Sequence, residues 1–115
     1  MHILIVGSGI AGPTLAYWIS HNLENSITVL EKSPSLLLYG QNVDISGSAV
    51  TCIKKMGLMP QVKHCNTKEL GTRFIDSYGK PFAPFPIKEG SSASLTSEYE
   101  ILRGDLAKIL YNATQ

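Results

Sequence analysis

A glycine-rich turn between an apolar run and a helical pattern is the feature that most limits how this chain can fold. The turn, GSGIAG, spans Gly7–Gly12 and follows His2–Val6, whose continuous aliphatic residues predict a strand buried on both faces of a parallel sheet. Pro13 suits the first turn of a helix, and Ile27–Leu30 predicts a second strand that ends at Glu31. This order predicts one right-handed βαβ unit of an α/β, Rossmann-type fold.

The predicted helix carries its apolar residues on one stripe and ends near His21. The stripe consists of residues at helical spacing: Ala11, Leu15, Trp18 and Ile19. We therefore expect this stripe to be the buried side of the helix.

The spacing of three glycines supports a dinucleotide site. Gly7 permits the tight turn, Gly9 lets the backbone approach a pyrophosphate, and Gly12 allows close packing of the helix on the strand. Ile10 and Ala11 stand at the helix start, where backbone N–H groups and the positive end of the helix dipole favour an anion. A glycine turn without a ligand is the alternative interpretation.

Glu31 narrows the choice of dinucleotide. It follows Gly12 by nineteen positions, near the spacing at which a carboxylate binds ribose hydroxyls. A carboxylate there repels the 2′-phosphate of NADP, which leaves NAD or the adenosine end of FAD. The next segment, Ser33–Gly47, is rich in Gly, Ser, Pro and Asn and predicts a long excursion, whereas an NAD domain would continue with further strands and helices. The sequence therefore favours FAD as the cofactor.

The remainder of the chain predicts short elements. In chain order these are a helix over Ser48–Met56 with Gly57 as its αL cap and Leu58 as its hydrophobic partner, a turn over Pro60–Cys65, a strand over Thr72–Asp76, a turn over Ser77–Lys80, an edge strand over Phe82–Pro86, a strand over Glu100–Arg103, and a helix capped by Asp105.

Composition argues against several classes of partner. The net charge is +1 without a basic stripe, which argues against nucleic acid and against an anionic membrane. The apolar runs are far shorter than the roughly 18 residues that span a bilayer. Because only 17% of the residues are charged, we expect an uncovered apolar face that leads to self-association or to a protein partner.

The cysteines and histidines indicate neither a disulfide framework nor a metal site. Cys52 and Cys65 form no CxxC motif, so the predicted compartment is reducing and cytoplasmic. The three histidines show no ligand spacing with each other or with the cysteines. We predict no catalytic residue and no metal ligand in this chain.

Five short motifs together resemble a known family. GSGIAG, VLEK, GQNVDISG, MGL and EILRGDL, in this order along essentially the whole chain, are similar to the N-terminal FAD-binding region of flavin-dependent aromatic-hydroxylase-type monooxygenases. The group includes p-hydroxybenzoate hydroxylase and tetracycline-degrading monooxygenases. The resemblance implies a family reaction in which NAD(P)H reduces FAD and the flavin then hydroxylates an aromatic or polyketide-like small molecule.

The resemblance also implies cofactor-binding roles for Glu31, Asp44 and Arg103, and we expect Lys32 to bind the cofactor as well. Glu31, with Lys32 beside it in VLEK, matches the position that binds the adenosine ribose. Asp44 matches an aspartate that lies at the FAD. Arg103 matches an arginine that contacts the cofactor near its phosphate and ribose portion.

Arg103 can also be interpreted without the resemblance. A cation between a short strand and a helix can pair with a diphosphate. A surface pairing with Glu100 or Asp105 is the alternative.

Two departures from the family shape the expected function. Leu36–Leu38 stand where several members carry an arginine that helps the reductant bind. Family members are also several times longer and carry DG and GD motifs after the region matched here. We therefore expect residues 1–115 to be one partial, truncated FAD-binding domain, incomplete at its C-terminus, with little or no turnover alone. The alternatives are a non-catalytic Rossmann module that acts as an interaction protein and a small NAD-binding oxidoreductase module.

Overall fold

The computed structural model describes residues 1–88 and 97–115. The described residues form six strands and four helices. In chain order they are β1 (His2–Val6), α1 (Ala11–Ser20), β2 (Ser26–Leu30), β3 (Asn42–Ile45), α2 (Ser48–Lys55), α3 (Met59–His64), β4 (Gly71–Ile75), β5 (Pro81–Pro86), β6 (Tyr99–Leu102) and α4 (Arg103–Asn112). The chain divides into a first unit, Met1–Gln41 with Arg103–Gln115, and a second unit, Asn42–Leu102.

The first unit is built on a parallel strand pair. β1 and β2 align with Ile3 opposite Ile27 and Ile5 opposite Val29. α1 connects the two strands and packs against both of them and against α4. The predicted α/β fold class with its βαβ unit is confirmed.

The prediction that β1 is buried on both faces was wrong. Ile5 is buried, whereas Leu4 and Val6 are 59% and 76% exposed. A Cβ built on Gly12 would lie 3.4 Å from Ile5 Cγ2, so α1 packs on the Ile5 face of the sheet. Successive side chains of a strand point to opposite faces, so Leu4 and Val6 lie on the face away from α1. None of the described residues covers these two side chains fully.

The predicted apolar stripe of α1 was also wrong in part. Pro13 and Ala16 are the buried residues of the helix, while Leu15 and Trp18 are 50% and 40% exposed. The smaller residues Pro13 and Ala16 are buried, whereas the larger apolar side chains of Leu15 and Trp18 lie on the outer side of the helix. Tertiary packing therefore overrides the helical periodicity of the apolar residues.

The second unit contains two antiparallel strand pairs. β3 pairs with β6, and β4 with β5, the latter with an irregularity between Arg73 and Phe74. β3 lies within Ser33–Gly47, the segment predicted as a long excursion. Its partner strand, β6, is remote in the chain and leaves no local signal for a strand here. Gly57 follows α2 with a φ of +70° and Leu58 is buried, as predicted.

Two further local predictions were wrong. Pro60–Cys65 was predicted as a turn, whereas α3 occupies most of this segment as a helix. Asp105 was predicted as the cap of α4, but the helix begins at Arg103 and Asp105 lies inside its first turn. A carboxylate in that turn still interacts favourably with the helix dipole.

Each unit has its own group of buried apolar side chains. In the first unit they are Ile5, Pro13, Ala16, Leu106, Ala107 and Leu110; in the second they are Ile45, Ile53, Met56, Leu58, Met59, Val62 and Ile101. Within the described ranges, no helix combines the length and the apolar character needed to cross a bilayer.

Candidate functional site

The glycine loop after β1 has the conformation that its sequence predicts. Gly7 adopts a φ of +104°, a region that strains residues with a side chain, and its N–H donates a 2.7 Å hydrogen bond to the Leu30 carbonyl at the end of β2. A Cβ on Gly12 would collide with the Gly7 carbonyl oxygen. The loop therefore folds back tightly between the strand and the helix, as predicted for Gly7 and Gly12.

The start of α1 follows directly from this loop. Ile10 occupies the N-cap position, where no side chain caps the helix, and Ala11 is the first helical residue. The Ile10 carbonyl accepts hydrogen bonds from the N–H and the Oγ1 of Thr14. The N-terminal end of this ten-residue helix can offer backbone N–H groups to an anion.

Glu31 lies at the end of β2 with both carboxylate oxygens hydrogen-bonded. Oε2 accepts the N–H of Ser8 at 2.7 Å, and Oε1 accepts the N–H of Ser33 at 2.9 Å. These two N–H groups, Ser8 first, hold the pKa of Glu31 below its ordinary value. The carboxylate is therefore ionised at neutral pH. Its two oxygens are held in place, and their remaining lone pairs can accept hydrogen bonds from hydroxyl groups.

Arg103 reaches the glycine loop from the start of α4. A Cβ built on Gly9 would lie 3.6 Å from Arg103 Nη2, and the Arg103 N–H donates a 3.1 Å hydrogen bond to the Gln41 carbonyl. A guanidinium beside a glycine loop and a helix N-terminus is suited to a diphosphate.

These groups share one cavity within the first unit, with a volume of about 230 Å³. Its lining comprises loop, strand-end and helix residues: Ser8, Gly9, Glu31, Lys32, Ser33, Ser35, Leu36, Leu37, Arg103 and Ala107. The predicted Lys32 thus lies at the same cavity as Gly9, Glu31 and Arg103. Within residues 1–88 and 97–115, no group of three His, Cys, Asp or Glu side chains is placed to hold a metal ion.

Asp44 belongs to the second unit. It lies on β3 opposite Glu100 of β6, and its Oδ1 accepts the N–H of Ser97 at 3.2 Å. Its predicted role at FAD remains a prediction.

Comparisons with known proteins bear on the resemblance carried by the motifs. No family model matches the chain. It is 40% identical over 117 residues to the flavin-dependent monooxygenase eupH of a Phoma species, and 40% identical over 118 residues to the FAD-dependent monooxygenase asL4 of Sarocladium schorii. Both alignments cover 100% of this chain and 27% of the relative.

A solved structure of a related enzyme is also similar to this chain in fold. The crystal structure of tetracycline destructase Tet(51) superposes with a TM-score of 0.72 and 32% identity, over 98% of this chain and 28% of that protein. The chain matches the N-terminal FAD-binding region of flavin-dependent monooxygenases. The resemblance predicted from the five motifs is confirmed, and the chain spans about a quarter of the length of the relatives it matches.

Some residues beside Glu31 and Arg103 were not singled out from the sequence. The backbone N–H of Ser33 donates a hydrogen bond to Glu31. Because almost any residue type offers such an N–H, the sequence does not indicate this donor. Gly40 lies against the side chain of Arg103, and a Cβ on Gly104 would collide with the backbone of Leu38. Both glycines lie within motifs that carry the resemblance. Their position in these motifs was the one signal in the sequence that could have pointed to them.

Proposed function

We propose that the first unit binds the ADP half of FAD, and that the chain serves as the FAD-binding part of an FAD-dependent monooxygenase. The observation that carries the proposal is the convergence of Gly9, Glu31 and Arg103 on one cavity. FAD as the cofactor is also supported by relatives named as flavin-dependent and FAD-dependent monooxygenases.

Each part of the site has a distinct role in this proposal. The glycine loop, the N-terminus of α1 and the Arg103 guanidinium bind the pyrophosphate. Glu31 accepts hydrogen bonds from the ribose hydroxyls, and Lys32 lines the same cavity. Asp44 binds a further part of the cofactor, as the resemblance implies. FAD, when bound, supplies the redox chemistry, and the residues of this chain bind and orient it.

The proposed family reaction uses NAD(P)H as the reductant and hydroxylates an aromatic or polyketide-like small molecule. The similarity to a tetracycline destructase supports the polyketide-like class of substrate. These two features concern whole enzymes of this kind, and the chain spans about a quarter of the length of the relatives it matches.

Isothermal titration calorimetry tests the cofactor proposal. The chain is titrated with FAD, ADP, NAD and riboflavin, and ADP is then used as a competitor of FAD. FAD and ADP are expected to bind competitively, and riboflavin is expected to bind much more weakly, because the described site is suited to a diphosphate and a ribose. If riboflavin bound as tightly as FAD and ADP did not compete, the proposal would be wrong. Tighter binding of NAD than of FAD would favour the NAD-binding module instead.

A further inference from the structure

We infer that Gly40 is a positioning residue that aims the Arg103 guanidinium at the glycine loop. The inference rests on the proposed function, because the aim matters only if a diphosphate binds beside Gly9. Gly40 touches Arg103 rather than the ligand cavity, whose lining does not include it.

The contact between Gly40 and Arg103 is too close for a side chain on the glycine unless the arginine shifts. Gly40 adopts a φ of +140°, and a Cβ built on it would lie 3.3 Å from Arg103 Cδ and 3.4 Å from Arg103 Cβ. The aliphatic stem of the arginine therefore lies directly against the glycine backbone. An L side chain at position 40 would strain the backbone and displace this stem by a few tenths of an ångström.

The other end of the Arg103 side chain lies beside the glycine loop. Its Nη2 is 3.6 Å from the position of a Cβ on Gly9. Arginine has several rotatable bonds, and ordering them on binding costs free energy. A stem that already lies along Gly40 reduces this cost and directs the charge toward the loop.

The backbones on both sides of this contact are also fixed. The Arg103 N–H bonds to the Gln41 carbonyl at 3.1 Å. The close approach of Gly104 to the backbone of Leu38 brings the start of α4 onto the segment that contains Gly40. These contacts hold Gly40 and Arg103 against each other.

The test compares ligands with and without phosphates in the full chain. Gly40→Ala is expected to weaken ADP binding about tenfold, the scale of a lost charge-assisted contact, and to leave adenosine binding unchanged because adenosine carries no phosphate. In an Arg103→Ala background the same substitution is expected to change ADP affinity by less than about twofold, because the group it displaces is already gone. Calorimetry measures ADP binding, and NMR titration measures the weaker adenosine binding.

Gly79→Ala is the matched control. Gly79 also has a positive φ, +79°, but a Cβ there would meet no atom within 4 Å. This variant carries a comparable backbone strain without a contact to Arg103, so its ADP affinity is expected to equal that of the wild type.

The outcomes separate this inference from the proposed function. If the wild-type chain bound neither FAD nor ADP, the proposed function would fail. If Arg103→Ala weakened ADP binding and Gly40→Ala did not, or if Gly40→Ala weakened adenosine equally, only the positioning role would be overturned. Should Gly40→Ala not fold, nuclear Overhauser effects in the wild type decide: a cross-peak between Gly40 Hα and Arg103 Hδ supports the contact, and its absence overturns it.

Discussion

The backbone N–H of Ser8 donates a 2.7 Å hydrogen bond to Oε2 of Glu31, so the glycine loop and the end of β2 are joined through the carboxylate proposed to bind ribose. The loop proposed to bind the pyrophosphate and the proposed ribose acceptor are therefore not independent. The Ser33 N–H, bound to Oε1, completes the fixation of this carboxylate. Removal of the Glu31 charge should affect ligand binding and the local structure of the loop together.

The first prediction concerns the charge of Glu31. Glu31→Gln keeps the size of the side chain but replaces a charged acceptor of hydroxyl groups by a neutral amide. We expect the affinity for ADP and for FAD to fall by about tenfold or more, measured by calorimetry. Glu24→Gln, a substitution of an exposed glutamate, is the control and should bind both ligands as the wild type does. Wild-type affinity in Glu31→Gln would refute the role of Glu31.

The second prediction concerns the acid side of the stability profile. The N–H groups of Ser8 and Ser33 lower the pKa of Glu31 in the folded chain. The stabilisation from the ionised carboxylate is therefore fully present above the ordinary glutamate pKa and is lost as the pH falls through the lowered value. Thermal melts of the wild type and Glu31→Gln should differ at neutral pH and converge in strong acid. A constant difference across this range would contradict the prediction.

The part of the site that is local in sequence could be predicted. The glycine spacing correctly indicated the tight turn at Gly7 and the close packing at Gly12, because both depend on the absence of a side chain beside neighbouring backbone. The strand order of the βαβ unit followed from apolar runs separated by a glycine turn. A βαβ unit has parallel strands, so the same pattern also predicted the parallel pairing of β1 and β2.

The remote contacts could not be predicted from residue patterns. The approach of Arg103 to Gly9 and to Gly40 joins three distant parts of the chain. The motif resemblance and the position of Arg103 between a strand and a helix both predicted a cofactor role, but neither indicated these contacts. The periodicity of α1 likewise indicated Leu15 and Trp18 as buried, whereas the approach to the sheet is made by smaller residues. Which side chains of a helix are buried depends on the shape of the surface that the helix packs against, and the periodicity of apolar residues does not describe that shape.

The third prediction distinguishes two glycines of the loop. Gly12→Ala should lower the free energy of unfolding by about 2 kcal/mol or more, because its methyl group would collide with the Gly7 carbonyl. Gly9→Ala should keep the wild-type stability, since its Cβ would lie 3.6 Å from Arg103 Nη2, an ordinary contact. Gly9→Ala should nevertheless weaken ADP binding, because the methyl group occupies the surface that the pyrophosphate approaches.

Urea unfolding and calorimetry on both variants check this contrast. Equal losses of stability in the two variants would show that the loop does not pack as the structure describes. Unchanged ADP affinity in Gly9→Ala would instead count against the pyrophosphate position.

The fourth prediction concerns a carboxyl pair in the second unit. The Glu100 carboxyl group accepts hydrogen bonds from Asn42 Nδ2 and Thr67 Oγ1. A hydrogen bond with Glu100 and the repulsion of its negative charge raise the pKa of Glu69. The stabilising protonated pair is therefore fully formed below the ordinary glutamate pKa and is lost as the pH rises through the raised value.

Glu69→Gln tests this pair because glutamine resembles the protonated acid. The variant should melt at a higher temperature than the wild type at neutral pH, and the difference should vanish in acid, where the wild-type carboxyl group is protonated. Glu24→Gln again serves as the control for loss of one surface charge. A variant that is less stable than the wild type at neutral pH would contradict the repulsion between Glu69 and Glu100.

The fifth prediction concerns the two faces of the β1–β2 sheet. Paired residues of parallel strands point to the same side, so Leu4, Val6 and Leu30 share one face, and they are 59%, 76% and 55% exposed. Ile5 points to the opposite face and is buried. Apolar surface of this kind promotes association, so the wild-type chain should self-associate as its concentration rises.

Threonine substitutions separate the contributions of the two faces, because threonine favours strands and is more polar than leucine, valine or isoleucine. The double substitution of Leu4→Thr and Val6→Thr should reduce self-association in sedimentation velocity and leave the melting temperature nearly unchanged, since neither side chain is buried. Ile5→Thr should instead lower the free energy of unfolding by about 2 kcal/mol, because it removes buried apolar atoms and places a hydroxyl in the core. If the double variant lost as much stability as Ile5→Thr, the exposed face would have to be covered in solution. If it self-associated as strongly as the wild type, another surface would be responsible for the association.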